Sequence, residues 1–75
     1  MTLEEFRYLI DIKKEYEFVF RGKKYNLTYG KDSNGDYIKF GQLYEEKKYH
    51  SLGEFLNTVK IENSYFKDIL ETLSL

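Results

Sequence analysis

The sequence predicts an α+β domain with an N-terminal helix, an antiparallel meander of three or four strands, and two C-terminal helices packed on one face. Three observations support this prediction. Apolar residues recur at helical spacing near the N-terminus, alternate with polar residues through the middle of the chain, and return to helical spacing after position 51. No linker, repeat or low-complexity segment interrupts the chain, so we expect a single domain over residues 1–75.

The first helix is predicted over residues 2–14. Thr2 and Glu5 have the spacing of a capping box, in which each side chain satisfies a backbone N–H of the other residue. Apolar residues lie on one face at helical spacing: Leu3, Phe6, Leu9 and Ile10. Tyr8 and Ile12 project to nearly the opposite side, where a helix with one core-facing stripe does not need apolar residues.

The period then changes from 3.6 to 2, which predicts strands. Residues 16–20 and 25–29 alternate on either side of an Arg21-Gly22 turn, and residues 36–44 supply a third strand. The alternation places the following apolar residues on one face: Tyr16, Phe18, Phe20, Tyr25, Leu27, Tyr29, Ile38 and Phe40. The opposite face is mostly polar and carries Tyr37 as its only evident ring.

The stretch Tyr29–Gly41 resembles a calcium loop, because Asp32, Asn34 and Asp36 alternate as ion ligands do. An EF-hand loop that starts at Asp32 requires Gly at its sixth position and Glu at its twelfth. Those positions hold Tyr37 and Leu43, so the loop lacks both its sharp bend and its strongest ligand. We therefore interpret the stretch as a hairpin turn.

A type I′ turn at Asn34-Gly35 is the predicted form of that hairpin, because both central positions favour Asn and Gly. This turn implies a register with Tyr29 opposite Phe40, Leu27 opposite Gln42, and Tyr25 opposite Tyr44. In that register the apolar residues of the two strands share one face, as a half-buried sheet requires.

The C-terminal part is predicted to hold a short fourth strand at residues 48–50 and two helices. Ser51 and Glu54 have capping-box spacing before an apolar stripe of Leu52, Phe55, Leu56 and Val59. Residues 60–64 interrupt that helix. Ser64 is expected to cap a last helix with the stripe Phe66, Ile69, Leu70 and Leu73.

The inventory of reactive side chains is poor. The chain has no cysteine and a single histidine, His50, and no serine lies in a nucleophile-elbow pattern. Gly-rich phosphate loops and spaced metal ligands are also missing from the sequence. We therefore predict a protein that is not an enzyme, with no catalytic residue, no cofactor and no metal.

The net charge is −1, and this balance favours neither membrane nor strong nucleic-acid binding. No apolar run approaches the ~20 residues that cross a bilayer, and the acidic start differs from a secretory signal. We expect a cytoplasmic protein. Abundant Lys, Glu, Tyr and Asn without Pro, Trp or Cys suggests an AT-rich bacterial or phage genome.

Protein–protein interaction is the predicted role, as a small interaction or accessory module. Tyr8 and Ile12 form the candidate surface, either for an unknown protein partner or for a second copy in a homodimer. The alternative is weak nucleic-acid binding through the basic first hairpin and the polar sheet face. Its candidate residues are Arg21, Lys23, Lys24 and Lys39.

The runs "EFVFRGKKYNLTYG" and "YHSLGEFLNTVKIENSYFKDILETL" resemble a type of small protein found in low-GC bacteria. The shared pattern is a strand that ends in a Gly-Lys turn, a Tyr-rich second strand, a capped helix start and a closing helix. The resemblance covers residues 17–74 and leaves out the first helix. Its motifs are structural, so it implies no activity and no site residues.

Overall fold

The computed structural model describes residues 1–73, which form an antiparallel sheet with the strand order β1-β2-β3-β4 and several short helices. Helix α1 (Leu3–Asp11) is followed by β1 (Tyr16–Phe20), β2 (Lys23–Asp32), β3 (Gly35–Gln42) and β4 (Lys47–Tyr49). Next come α2 (Leu52–Thr58), the hairpin β5 (Lys60–Ile61) and β6 (Ser64–Tyr65), α3 (Phe66–Ile69) and a 3₁₀ turn (Leu70–Thr72). The predicted α+β class and element order are confirmed.

An aromatic cluster joins the helices to the sheet. The rings of Phe55 in α2 and Phe66 in α3 each lie 5.3 Å from that of Phe40 in β3 and 5.1 Å from each other. Phe6 of α1 completes the cluster at 5.8 Å from Phe55 and 5.1 Å from Phe66. Every apolar strand residue predicted to share one face lies in this core or packs against it. The other side of the sheet, which carries Glu17, Val19, Asn26, Thr28, Tyr37 and Lys39, is called the open face below.

Two helix starts were predicted from capping boxes, and the structure contains one complete box. The Thr2 hydroxyl accepts the Glu5 N–H at 3.1 Å while the Glu5 carboxylate accepts the Thr2 N–H at 3.4 Å. Ser51 caps α2 by accepting the Glu54 N–H at 3.0 Å. The Glu54 carboxylate, however, accepts the N–H of His50 at 3.4 Å, so this second box is only half formed.

Helix α1 is shorter than the predicted residues 2–14 and ends at Asp11. Lys13 adopts a left-handed conformation with φ of 57°. Its N–H donates to the Ile10 carbonyl at 3.0 Å, and the Lys14 N–H donates to the Leu9 carbonyl at 2.9 Å. This bond pattern is a Schellman motif, which usually has glycine at the left-handed position. The sequence therefore carries no glycine signal for this helix end.

The first hairpin has the predicted turn. Arg21 and Gly22 have φ values of 50° and 79°, as both central residues of a type I′ turn require. Phe20 and Lys23 are the pair that closes the turn.

The second hairpin differs from the prediction by two residues. Its closing pair is Asp32 with Gly35, so Ser33 and Asn34 form the loop, and of these residues only Gly35 has positive φ, at 108°. The observed register pairs Tyr29 with Ile38, Leu27 with Phe40, and Tyr25 with Gln42. The predicted type I′ turn at Asn34-Gly35 and its register are wrong. Because the error is an even number of residues, each side chain still lies on its predicted face.

The C-terminal region confirms the fourth strand, at Lys47–Tyr49, one residue before the predicted position. The predicted Ser64 cap is wrong. Ser64 pairs with Ile61 in a small hairpin whose turn residues, Glu62 and Asn63, have φ of 50° and 72°. Helix α3 starts without a side-chain cap, and the Phe66 N–H donates to the carbonyl of Val59 at 2.9 Å instead.

Candidate functional site

The outward face of α1 exposes an apolar pair. Tyr8 is 62% exposed and Ile12 is 53% exposed, whereas Phe6 of the same helix is fully buried against Phe55 and Phe66. Residues three and four positions apart are neighbours on a helix surface, so Tyr8 and Ile12 adjoin each other. The structure thus places both predicted interface residues together on one accessible surface.

Acidic side chains flank Tyr8 of that pair. The helical neighbours of Tyr8 are Glu4, Glu5 and Asp11 besides Ile12. These carboxylates are exposed, and within residues 1–73 none of them forms an ion pair. The last turn of α1 contains no basic residue. Together these five residues make a surface that is apolar at its centre and negative at its edge, called the Tyr8 surface below.

The four residues of the alternative nucleic-acid site do not form one patch. Arg21, at the tip of the first hairpin, is ion-paired with Glu62 at 2.9 Å. Lys24 is ion-paired on the open face with Glu17 at 2.7 Å, and this hydrogen bond raises the pKa of Lys24.

Lys23 and Lys39 lie on different faces of the sheet. Lys23 has the same parity along β2 as the buried Tyr25, so it lies on the helix-covered side. Lys39 lies on the open face directly opposite Lys48 of β4. Like charges at opposed positions repel, although Lys48 Nζ lies 3.8 Å from the Asp32 carboxylate, which offsets part of its charge.

A polar cluster at one end of the open face was not predicted. The Nε2 atom of His50 lies 3.0 and 3.1 Å from the carboxylate oxygens of Asp32, and Lys48 Nζ lies 3.8 Å from that carboxylate. The Asn34 N–H donates to Asp32 at 2.8 Å. This backbone hydrogen bond, helped by His50 and Lys48, lowers the pKa of Asp32. The Lys48 ammonium also sits 4.7 Å from the centre of the Tyr37 ring.

The sequence does not indicate this cluster, because its pattern predicts Asp32 in a turn and His50 at the end of a strand. Their partnership depends on the register of three strands, and the predicted register was displaced by two residues. The alternation along the strands was the only available signal. It assigns Asp32, Tyr37 and His50 to the same face without showing which of them touch.

Within residues 1–73, the His50 ring is hydrogen-bonded to Asp32 and to no serine hydroxyl. The hydroxyl of Ser51, next to His50 in sequence, is occupied as the cap of α2. The adjoining cleft has a volume of about 210 Å³, whereas pockets for drug-sized ligands run from about 300 Å³ upwards. A second pocket, of about 350 Å³, lies beside Gly41 and Val59; among the described residues that line it, Glu45 is the one carboxylate and none is histidine. Among residues 1–73, no group of three His, Cys, Asp or Glu side chains is arranged to hold a metal ion.

No protein-family model matches this chain, and neither does any curated protein or solved structure with which it was compared. The resemblance noted from the sequence therefore brings no function with it. In the described part of the chain, no helix combines the length and the apolar character needed to cross a membrane. The geometry of the surfaces remains the basis on which a function can be proposed.

Proposed function

We propose that this chain is a small, non-catalytic binding module that holds a protein partner on the Tyr8 surface. The observation that carries this proposal is the exposed Tyr8–Ile12 pair, in which Tyr8 is flanked by carboxylates that form no ion pair within residues 1–73. Tyrosine is a frequent anchor in interfaces because it buries a large rigid area at a small entropic cost. The complementary partner has an apolar pocket with a basic rim.

Charge favours a different protein over a second copy at this surface. A two-fold dimer through the Tyr8 surface would bring the carboxylates of both copies together, and like charges across an interface oppose association. A basic partner would instead gain attraction, and its association would weaken as salt is added. The homodimer alternative predicts dimerisation despite this repulsion, which light scattering can detect.

The size of the expected effect follows from the exposed area. Complete burial of a large apolar side chain contributes about 1.5–3 kcal/mol, and roughly half of the surface of Tyr8 and of Ile12 is exposed for a partner to bury. Loss of both anchors should therefore cost about 2 kcal/mol, which is roughly thirtyfold in affinity.

The test is affinity capture from the source cells, followed by direct titration of the purified captured protein. Three tagged chains are compared: the wild type, the double variant Tyr8→Glu with Ile12→Lys, and the control Tyr44→Glu. The double variant leaves the net charge unchanged. The control introduces a carboxylate at Tyr44, which is 90% exposed in the loop between β3 and β4.

A partner that binds the wild type and the Tyr44 control, but binds the folded double variant about thirtyfold more weakly, supports the proposal. Equal binding by all three chains would refute it. Light scattering of the same proteins addresses the homodimer. A wild-type dimer that only the double variant dissociates would identify the partner at this surface as a second copy.

Weak nucleic-acid binding is the second candidate, and the observation in its favour is the opposed pair Lys39–Lys48 beside Tyr37 on the open face. Support is smaller because Arg21 and Lys24 are already ion-paired, and Lys48 itself lies 3.8 Å from the Asp32 carboxylate. A heparin column with a salt gradient tests it, since phosphate binding weakens steeply with salt. If the wild type and a Lys39→Glu variant both elute in the low-salt wash, this candidate is refuted.

A further inference from the structure

We propose that strand β1 pairs with β1 of a second copy of this chain, which joins the two sheets edge to edge in a two-fold dimer. This inference concerns the sheet edge and does not depend on the Tyr8 surface. It rests on three features of β1, namely its free backbone groups, its unprotected sequence, and the distribution of its charges.

The backbone groups on the outer side of β1 are free. In the strand order, β1 is an edge strand with β2 as its neighbour. Phe20 and Lys23 close a two-residue type I′ turn, so they form a hydrogen-bonded pair, and such pairs alternate along the hairpin. The N–H and C=O groups of Glu17 and Val19 consequently point away from β2. Within residues 1–73, no other hydrogen bond reaches these groups.

The two edges of the sheet differ in their protection. Proteins commonly blunt an exposed edge by keeping it short or by placing lysine or proline on it. The opposite edge, β4, follows this rule with three residues that include Lys47 and Lys48. Strand β1 has five residues without lysine or proline, its one charged residue, Glu17, is ion-paired with Lys24, and its Val19 is 67% exposed. The structure thus protects one edge and leaves the other open.

The charges select one register for the pairing. In this dimer the two-fold axis is perpendicular to the sheet. Opposed side chains of the two β1 strands then lie on the same side of the sheet only when the axis passes through a residue position. An axis at Glu17 sets that carboxylate against its own copy, and like charges at opposed positions are destabilising. An axis at Val19 overlaps only the three residues 18–20.

An axis at Phe18 pairs all of Tyr16–Phe20 and removes the repulsion. It sets Glu17 opposite Val19 of the second copy. It also brings Glu15, which directly precedes β1, towards Arg21 of the second copy, which lies in the turn that follows β1. The guanidinium of Arg21 has five donors, so it can bind Glu15 of the second copy while keeping its contact with Glu62.

This register also continues the aromatic face. Phe18 meets Phe18 of the second copy, and Tyr16 meets Phe20, on the side of the sheet that faces the core. Glu17 and Val19 form residue pairs that exchange both N–H···O bonds with the second copy. A short strand pair buries a small area, so dimerisation should depend on concentration.

The first test combines sedimentation of the wild type across a concentration series with amide hydrogen exchange. The dimer should appear as concentration rises, and the amides of Glu17 and Val19 should become protected with it. The amides of Tyr16, Phe18 and Phe20 provide the internal control, because they already bond to β2 and should change little. A chain that stays monomeric, or a dimer in which the Glu17 and Val19 amides exchange freely, overturns the proposal.

The second test uses variants. Val19→Pro removes an outward N–H that the internal ladder does not use, and edge strands tolerate proline at such a position. It should weaken dimerisation at least about tenfold, whereas Val19→Thr, which keeps the N–H and the branched shape, should change it much less. Tyr8→Glu should leave this dimer intact, which separates it from association through the Tyr8 surface.

A charge experiment keeps the proposal testable if Val19→Pro does not fold. The variants Glu15→Arg and Arg21→Glu should each self-associate more weakly than the wild type, because like charges then face each other across the pairing. Mixed together, they should form a heterodimer in which opposite charges meet again. If the mixture associates no better than either variant alone, the proposed register is wrong.

Discussion

Replacement of Phe55 by leucine should lower the free energy of unfolding by about 2 kcal/mol. Phe55 is fully buried, and its ring centroid lies 5.1–5.8 Å from those of Phe6, Phe40, Tyr49 and Phe66. These partners belong to α1, β3, β4 and α3. Phe55 therefore contacts both the helices and the sheet within one core.

The magnitude follows from those contacts. An aromatic pair contributes about 0.5–1.5 kcal/mol beyond its buried area, and pairs that share one ring do not add fully. Leucine keeps part of the buried volume, so about 2 kcal/mol is expected, with a melting temperature about 10 °C lower. Phe55→Ala should cost about 3–5 kcal/mol. The free energy of unfolding of a 75-residue chain is roughly 4–11 kcal/mol, so the Phe55→Ala variant should be close to unfolding.

The measurement is urea denaturation followed by circular dichroism, with the slope of the transition checked for constancy. Phe20→Leu is the matched control, since Phe20 is only partly buried and makes no ring–ring contact in the described part of the chain. It should cost less than about 1 kcal/mol. If Phe55→Leu is no more destabilising than Phe20→Leu, the aromatic cluster is not the main support of the fold.

Three further changes follow from specific contacts. Gly41→Ala would place a methyl group 2.9 Å from the backbone Cα of Glu46, and the resulting displacement should lower stability by about 1–3 kcal/mol in a thermal melt. Tyr29→Phe removes the hydroxyl that donates to the Lys14 carbonyl at 2.8 Å, which should cost about 1 kcal/mol at pH 7. Burial raises the pKa of Tyr29 above its usual 10.0, so wild-type stability should fall as pH rises beyond 10.0, and less steeply in this variant. The pKa of Asp32 is lowered in the folded protein, so its carboxylate stabilises the fold above the usual pKa of 3.8. As the pH falls below 3.8, the urea midpoint should therefore decrease more in the wild type than in Asp32→Asn. Equal acid losses would contradict the stabilising role of that carboxylate.

Several elements could be predicted because their causes are local. The start of α1 depends on Thr2 and Glu5, three residues apart, and the first hairpin turn depends on Arg21 and Gly22. The exposure of Tyr8 and Ile12 also follows from helical spacing alone. The position of Tyr8 among acidic neighbours can likewise be read from the sequence.

Strand register could not be predicted in the same way. Alternation assigns each residue to a face, but it does not distinguish registers that differ by two residues. The second hairpin shows this limit, since every face is right although Leu27 lies opposite Phe40 instead of Gln42. The Asp32–His50 contact was missed for the same reason.

The sequence by itself determined the fold class, the faces of the strands and the outward position of the Tyr8–Ile12 pair, because each depends on periodicity or on a short motif. Tertiary structure decided which charges are neutralised and which edge is open. Arg21 meets Glu62 across 41 positions of sequence, and β1 remains an edge because no other described strand pairs with its outer side. Such relations depend on how distant segments pack, so neither spacing nor composition reveals them.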